Sequence, residues 1–265
     1  MEFTRLLQNA RQEPEAVRVD ASWGQGRATF GGVVAALIYT RMRDCVDSER
    51  LTRSLSVSFV GPLLCDVPTR IEVEILREGK AVTQVLGRAL QNDEVVALVQ
   101  GSFGGGRPSS VAVAAEPAPV IKPVEQSQEL PQIPQITPAF VEHLVMRWGL
   151  GGMPFTGNPS REMGGWVRFR DQGQVRDIDE ADLLALVDAW PPAVLSHLRG
   201  PAPGSSLTWT IEFIQPLAKT SSERWCLYRA EIEHARDGYG HVAARLWSDD
   251  GQLLAISRQT VTVFG

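Results

Sequence analysis

Cysteine is scarce in this chain, and the three present, Cys45, Cys65 and Cys226, are odd in number and far apart. That pattern fits neither a disulfide framework nor the paired spacing of a zinc site. The four histidines are scattered as well, with no pair at helical spacing beside an acid, so no metal centre is expected. No eighteen apolar residues run together, which excludes an ordinary membrane-spanning helix. The first residues lack a positive segment followed by an apolar run, so no signal peptide is expected. A cytoplasmic chain with reduced thiols is the simplest reading. Positive charge is also in deficit: 26 Lys and Arg against 31 Asp and Glu give a net charge of −5 and a pI near 5.5. The basic footprint of a nucleic-acid binder is missing. What the chain does have is 43% hydrophobic residues over 265 positions, enough for a packed core.

Between Gly104 and Pro138 the composition changes. Pro108, Pro117, Pro119, Pro123, Pro131 and Pro134 occur there without an aromatic residue. Closely spaced prolines remove amide donors and disfavour helix and sheet interior, so this stretch predicts an extended tether. It divides the chain into an N-terminal module, 1–105, a linker, 106–137, and a C-terminal module, 138–265.

The same order of signals appears on both sides. Ser54–Val60 alternates and breaks at Gly61-Pro62-Leu63; Leu207–Ile214 alternates and breaks at Gln215-Pro216-Leu217. Strand-like Arg70–Leu76, Val82–Leu90 and Val95–Phe103 in the first half match Trp225–Ile232, His241–Trp247 and Leu253–Val263 in the second. Gly, Asp and Asn turns separate them in both halves. This is the pattern of a duplicated, meandering antiparallel sheet.

One helical segment precedes each meander. From Phe30 to Met42 the first is apolar nearly all round until Arg41, which predicts a buried helix wrapped by sheet. The second starts at Asp179-Glu180-Ala181-Asp182, where acids suit a helix N-terminus, and runs to Trp190 before Pro191-Pro192.

This order resembles the hotdog fold, and its duplication resembles the double-hotdog acyl-CoA thioesterases, especially the acyl-CoA thioesterase II family. Three places carry the likeness. Phe30-Gly31-Gly32 opens the first helix, where the family has a similar Phe-Gly-Gly-Gln stretch, although Val33 stands at the Gln position. Asp188 lies in the second helix, followed by Ser206-Leu207-Thr208 entering a strand. Gln259 stands in the last strand, in Ser257-Arg258-Gln259-Thr260. The resemblance implies an α+β tandem hotdog, each module a buried helix wrapped by a curved antiparallel sheet. It also implies an acyl-CoA thioesterase without a cofactor, whose attacking water is held by Asp188, Ser206 and Gln259. The family's strand often continues Asp-His where Thr208-Trp209 stands here, so Thr208 is a second candidate for the hydroxyl role. Hotdog sheets commonly pair edge to edge, implying a homodimer or higher homo-oligomer.

These residue types suit thioester hydrolysis. A thioester carbonyl is electrophilic and its thiolate leaves readily; water lacks orientation and a place for its proton. Asp188 could accept that proton as general base or attack directly to give an anhydride. Gly31 and Gly32 would offer N–H groups to the oxyanion at a helix N-terminus. The first helix carries no acid from Gly31 to Thr40, which favours one composite site per chain.

Blander readings exist for each residue. Asp188 lies off the stripe formed by Leu183, Leu186, Val187 and Trp190, so periodicity alone makes it a solvated acid. Gln259 on an alternating strand is exposed by default, Ser206 after Gly204-Ser205 suits a turn, and the glycine pair suits close helix packing. The seven tryptophans read as core and pocket wall; Trp148, among its glycines, has no assigned purpose. Two other functions compete with hydrolysis. A hotdog hydratase or dehydratase would pair its Asp with a nearby His, for which His197 beyond the Pro-Pro break is poorly spaced. A non-catalytic acyl-CoA-binding double hotdog would keep the pocket alone.

Overall fold

The computed structural model describes residues 1–134, 136–170 and 175–264. It opens with a helix the sequence reading did not assign, α1 (Phe3–Gln12), which buries Phe3, Leu6, Leu7 and Ala10 at helical spacing. A short hairpin, β1 (Gly24–Gln25) and β2 (Ala28–Thr29), leads into α2 (Gly31–Asp44). Every residue of α2 from Gly32 to Thr40 is buried, as its uninterrupted apolar sequence requires. Four strands follow: β3 (Leu51–Phe59), β4 (Arg70–Glu78), β5 (Val82–Gln91) and β6 (Glu94–Gly104).

The second half holds β7 (Gln128–Glu129), β8 (Leu144–Gly151), β9 (Glu162–Phe169) and α3 (Glu180–Asp188). Then come β10 (Gly204–Phe213), β11 (Cys226–Arg236), β12 (Tyr239–Ser248) and β13 (Leu253–Val263). Asp179 caps α3 in a reciprocal capping box with Asp182. The helix ends at Asp188, two residues before the sequence reading placed its end. A proline disfavours helical backbone in the residue before it, here Trp190, so the last turn closes early.

From β3 to β13 the long strands form one antiparallel sheet in the order β4-β5-β6-β3-β10-β13-β12-β11-β9-β8-β7. The strands of the two halves join at the pairing of β3 with β10, in which Ser54–Ser58 runs against Thr208–Glu212. The edge-to-edge meeting of hotdog sheets thus occurs inside the chain. β8 and β9, including Trp148 and the Gly164-Gly165 pair, extend the sheet beyond β11.

The duplication reaches the irregularities. Between β3 and β6 the register shifts from Thr52 to Ser54; between β10 and β13 it shifts from Ser206 to Thr208. Each shift inserts one residue, Arg53 or Leu207, so the bulge is a repeated feature of the module. The helices α2 and α3 meet over the inner face of the sheet. At their meeting a Cβ on Gly32 would come within 2.9 Å of the Leu184 carbonyl oxygen, so the crossing needs glycine there.

The tether is strapped over the outer face of the second module. Ala118 and Ile121 pack on a small apolar cluster of Leu227, Trp247 and Leu253 with Trp166 and Ile256. Its backbone carbonyls at Glu116, Lys122 and Val124 accept from Trp247 Nε1 (3.1 Å), Trp166 Nε1 (2.8 Å) and Arg147 Nη1 (3.1 Å). An extended chain without its own ladder leaves those acceptors free, and the tryptophans use them.

Candidate active site

Asp188 is the last residue of α3, and Gln259 projects from β13 toward it. Gln259 Nε2 donates to Asp188 Oδ1 at 2.7 Å. The other carboxylate oxygen faces the start of α2: a Cβ added to Gly31 would stand 2.8 Å from Asp188 Oδ2 and 3.0 Å from the Phe59 ring. One residue pair from the first module and one from the second therefore meet at a single point.

The carboxylate is enclosed by protein yet keeps a partial opening to solvent. Desolvation pushes its pKa up to about 7; hydrogen bonds from Gln259 and from the backbone N–H of Gly32 draw it partly back. The two helix ends act in the same opposed way. Asp188 sits at the negative end of α3, while the positive end of α2 faces it. Among the described residues the Gly31 N–H meets no acceptor, as expected of the first residue of a helix.

Strand register separates the two hydroxyl candidates. Ser206 lies opposite Val261 and Trp209 lies opposite Gln259; Val261 and Trp209 are both buried on the inner face. Directly opposed residues of an antiparallel pair share a face, so Ser206 is on the face of Gln259, one inward position along. Thr208 lies opposite Thr260 and is exposed. The extra residue at Leu207 lets Ser206 and Trp209 share the inner face and leaves Thr208 on the outer one. The structure brings together Asp188, Gln259, Gly31 and Gly32, with Ser206 on their face, and does not bring Thr208 to them. Val33 is fully buried in the core of α2.

Two other polar groups near α3 have different employment. Asp182 is buried and its pKa is raised to about 6 by desolvation; both of its oxygens take Arg176, and one also caps the Asp179 N–H. His197 donates from Nε2 to the Ser160 carbonyl at 2.9 Å, away from Asp188. Among the described residues Asp188 has no ion-pair partner, and its carboxylate accepts from Gln259 and the Gly32 N–H instead.

The duplicated register gives an internal control. Gly101 lies opposite Leu55 just as Gln259 lies opposite Trp209, and Thr52 precedes its bulge just as Ser206 does. Counting nine residues from each helix start puts Tyr39 where Asp188 stands. In the first module the Tyr39 hydroxyl is bonded to Thr52 Oγ1 at 2.9 Å, and a Cβ on Gly101 would come within 2.8 Å of Met42 Cε. The carboxylate and the amide are both replaced, and packed side chains fill the space.

Trp190, two residues beyond the carboxylate, belongs to a buried aromatic group. The Trp190 ring stacks on Tyr228, with centroids 5.0 Å apart and planes 4° from parallel, and Trp148 leans on Trp190 at 4.8 Å. Burial raises the Tyr228 pKa, and the nearby charge of Asp188 raises it further. Tyr228 carries no motif; only register could have brought it to the site.

Comparison with known proteins agrees with this architecture. The N-terminal domain of acyl-CoA thioesterases matches residues 19–104 and the C-terminal domain matches residues 118–263. A curated relative, acyl-CoA thioesterase 2 of Haemophilus influenzae, is 22% identical over 253 residues, 88% of this chain and 86% of that protein. Two solved structures share the fold. A hot dog fold protein of unknown function from Alicyclobacillus acidocaldarius has a TM-score of 0.79 at 24% identity, over 94% of this chain and 92% of that one. An acyl-CoA thioesterase II of Mycobacterium marinum has a TM-score of 0.72 at 18% identity, over 94% of this chain and 91% of that one. Among the described residues no helix is long and apolar enough to cross a membrane. With both domain matches in sequence order and the second alone spanning more than half its length, the chain belongs to the acyl-CoA thioesterases, thioester hydrolases built here as a double hotdog.

Proposed function

We propose that this chain hydrolyses acyl-CoA to a free carboxylic acid and CoA at one composite site, with Asp188 activating the attacking water. The observation that carries the proposal is the contact of one enclosed carboxylate with Gln259 on one side and Gly31 on the other. Asp188 takes a proton from water as the water oxygen attacks the thioester carbon. Gln259 and Ser206 hold the water's remaining hydrogen bonds. The Gly31 N–H receives the carbonyl oxygen as it becomes an oxyanion, where the helix end favours negative charge. The tetrahedral intermediate then collapses, the carbon–sulfur bond breaks, and the proton held by Asp188 passes to the departing thiolate. A carboxylate whose pKa lies near neutrality suits both halves of this cycle.

Support for Ser206 over Thr208 in this scheme comes from the sheet register. Release of free thiol from butanoyl-CoA is the assay. Ser206→Ala is expected to lower kcat by about 10-fold or more, the scale of losing one positioning hydrogen bond. Thr208→Val is expected to change it less than about 2-fold, as an outer-face substitution does. The reverse ranking would reassign the hydroxyl.

A further inference from the structure

We propose that Trp190 and Tyr228, backed by Trp148, close the acyl end of the site and select a compact acyl group carrying a hydrogen-bond acceptor. A hydroxyacyl chain and an oxygen-substituted aryl ring are of this class. The inference rests on Asp188 and Gly31 holding the thioester. It adds what lies beyond the carbonyl.

Two observations carry it. The first is position. Trp190 follows Asp188 by two residues, and its stacking partner Tyr228 faces the interior in line with Gly165 and Trp148 across β11, β9 and β8. Gly165 contributes no side chain, so the three large rings share the space over that row. Each ring is at most 5% exposed. A long alkyl tail directed past Asp188 on this side would have to displace them, whereas a short chain or a flat ring would lie against their faces.

The second is an unspent donor. Trp148 Nε1 donates to the Gly152 carbonyl at 3.1 Å. Trp190 Nε1, though buried, has no hydrogen-bond partner among the described residues; the Tyr228 hydroxyl is a second donor on the stacked pair. Native interiors rarely leave such donors unpaired, because burial without a partner is costly. A purely apolar acyl group would leave the Trp190 donor unsatisfied; an acyl oxygen would satisfy it.

The test compares thiol release from butanoyl-, dodecanoyl-, 3-hydroxybutanoyl- and 4-hydroxybenzoyl-CoA by the wild type, Trp190→Phe and Tyr228→Phe. Tyr228→Phe keeps the ring and removes only the hydroxyl; Trp190→Phe keeps an aromatic ring there and removes the N–H together with the second ring of the indole. The wild type is expected to favour the oxygen-bearing substrates over dodecanoyl-CoA by about 10-fold or more in kcat/KM. In each variant the ratio of kcat/KM on the oxygen-bearing substrates to that on butanoyl-CoA is expected to fall by about 10-fold, the selective loss that follows when a polar pocket group is removed. An equal loss on all substrates, no loss on any, or a preference for dodecanoyl-CoA overturns the proposal. Should the wild type release no thiol at all, the hydrolytic reading itself fails. Calorimetric binding of a hydroxyphenyl-bearing CoA thioether then decides the pocket: weaker binding by Trp190→Phe upholds it, and equal binding overturns it.

Discussion

Asp188→Asn is expected to lower kcat/KM for thioester hydrolysis by about 10³-fold while raising the melting temperature above neutral pH. The loss follows from removing the proton acceptor, a role worth roughly 10²- to 10⁴-fold in enzymes generally. The gain in stability follows from burial. The folded-state pKa of Asp188 is raised from 3.8 to about 7, so the folded protein favours the neutral acid more than the unfolded chain does. Its stabilising contribution is therefore complete below about pH 4 and is lost as pH rises through about 7. Three pKa units correspond to about 4 kcal/mol as an upper bound, less because the carboxylate keeps some access to solvent. Asparagine carries no charge at any of these pH values and still accepts from Gln259. Its amide meets the Gly32 N–H donor to donor, which offsets part of the gain. A rise of roughly 4–8 °C at pH 8 is expected, shrinking to nothing at about pH 4. Calorimetric melts at the two pH values, run beside the activity assay, check both halves. An inactive variant that is less stable at pH 8 would point to a structural role for the carboxylate.

The adjacent glycines are expected to separate function from folding. Gly31→Ala places a methyl group 2.8 Å from Asp188 Oδ2 and 3.0 Å from the Phe59 ring. Those neighbours are the ends of half-buried side chains, so they yield, and the cost falls on the site: kcat/KM should drop by about 10²-fold, since small misplacements of reacting groups carry penalties of that order. Alanine's better helix propensity should leave the melting temperature nearly unchanged. Gly32→Ala meets the Leu184 backbone carbonyl at 2.9 Å, where neither helix can step aside cheaply. A destabilisation of about 1–3 kcal/mol is expected there, the usual cost of overpacking. Equal effects of the two substitutions on activity and melting would mean that Gly31, too, serves only the packing.

The sheet was largely legible from sequence because alternation and turn residues fix strands locally. The last strand, Leu253–Val263, has the bounds its pattern implied, and the repeated Pro-Leu breaks gave the duplication. Three features were not legible. Helix α1 is short and solitary. β8 carries Gly149 and Gly151 at its end, which weakens its strand signal, whereas in β9 the Gly164-Gly165 pair before Trp166 does read as a strand entry and is needed where neighbouring backbone comes too close for a Cβ. The setting of Asp188 was hidden for a different reason. Amphipathic logic assumes a solvated face, but α3 is buried from Ala181 to Val187, so lying off the apolar stripe does not put a residue in water. Ser206 and Thr208, equivalent as letters, are distinguished only by the bulge at Leu207, a register feature that requires the paired strand.

The most direct test of the account is the pH dependence of kcat/KM on an acyl-pantetheine substrate, which has no phosphate to titrate. Activity should be lost in acid, rise with a midpoint near pH 7 as Asp188 ionises, and level off above about pH 8. A profile flat from about pH 5 to about pH 9, or the same midpoint persisting in the residual activity of Asp188→Asn, would contradict it.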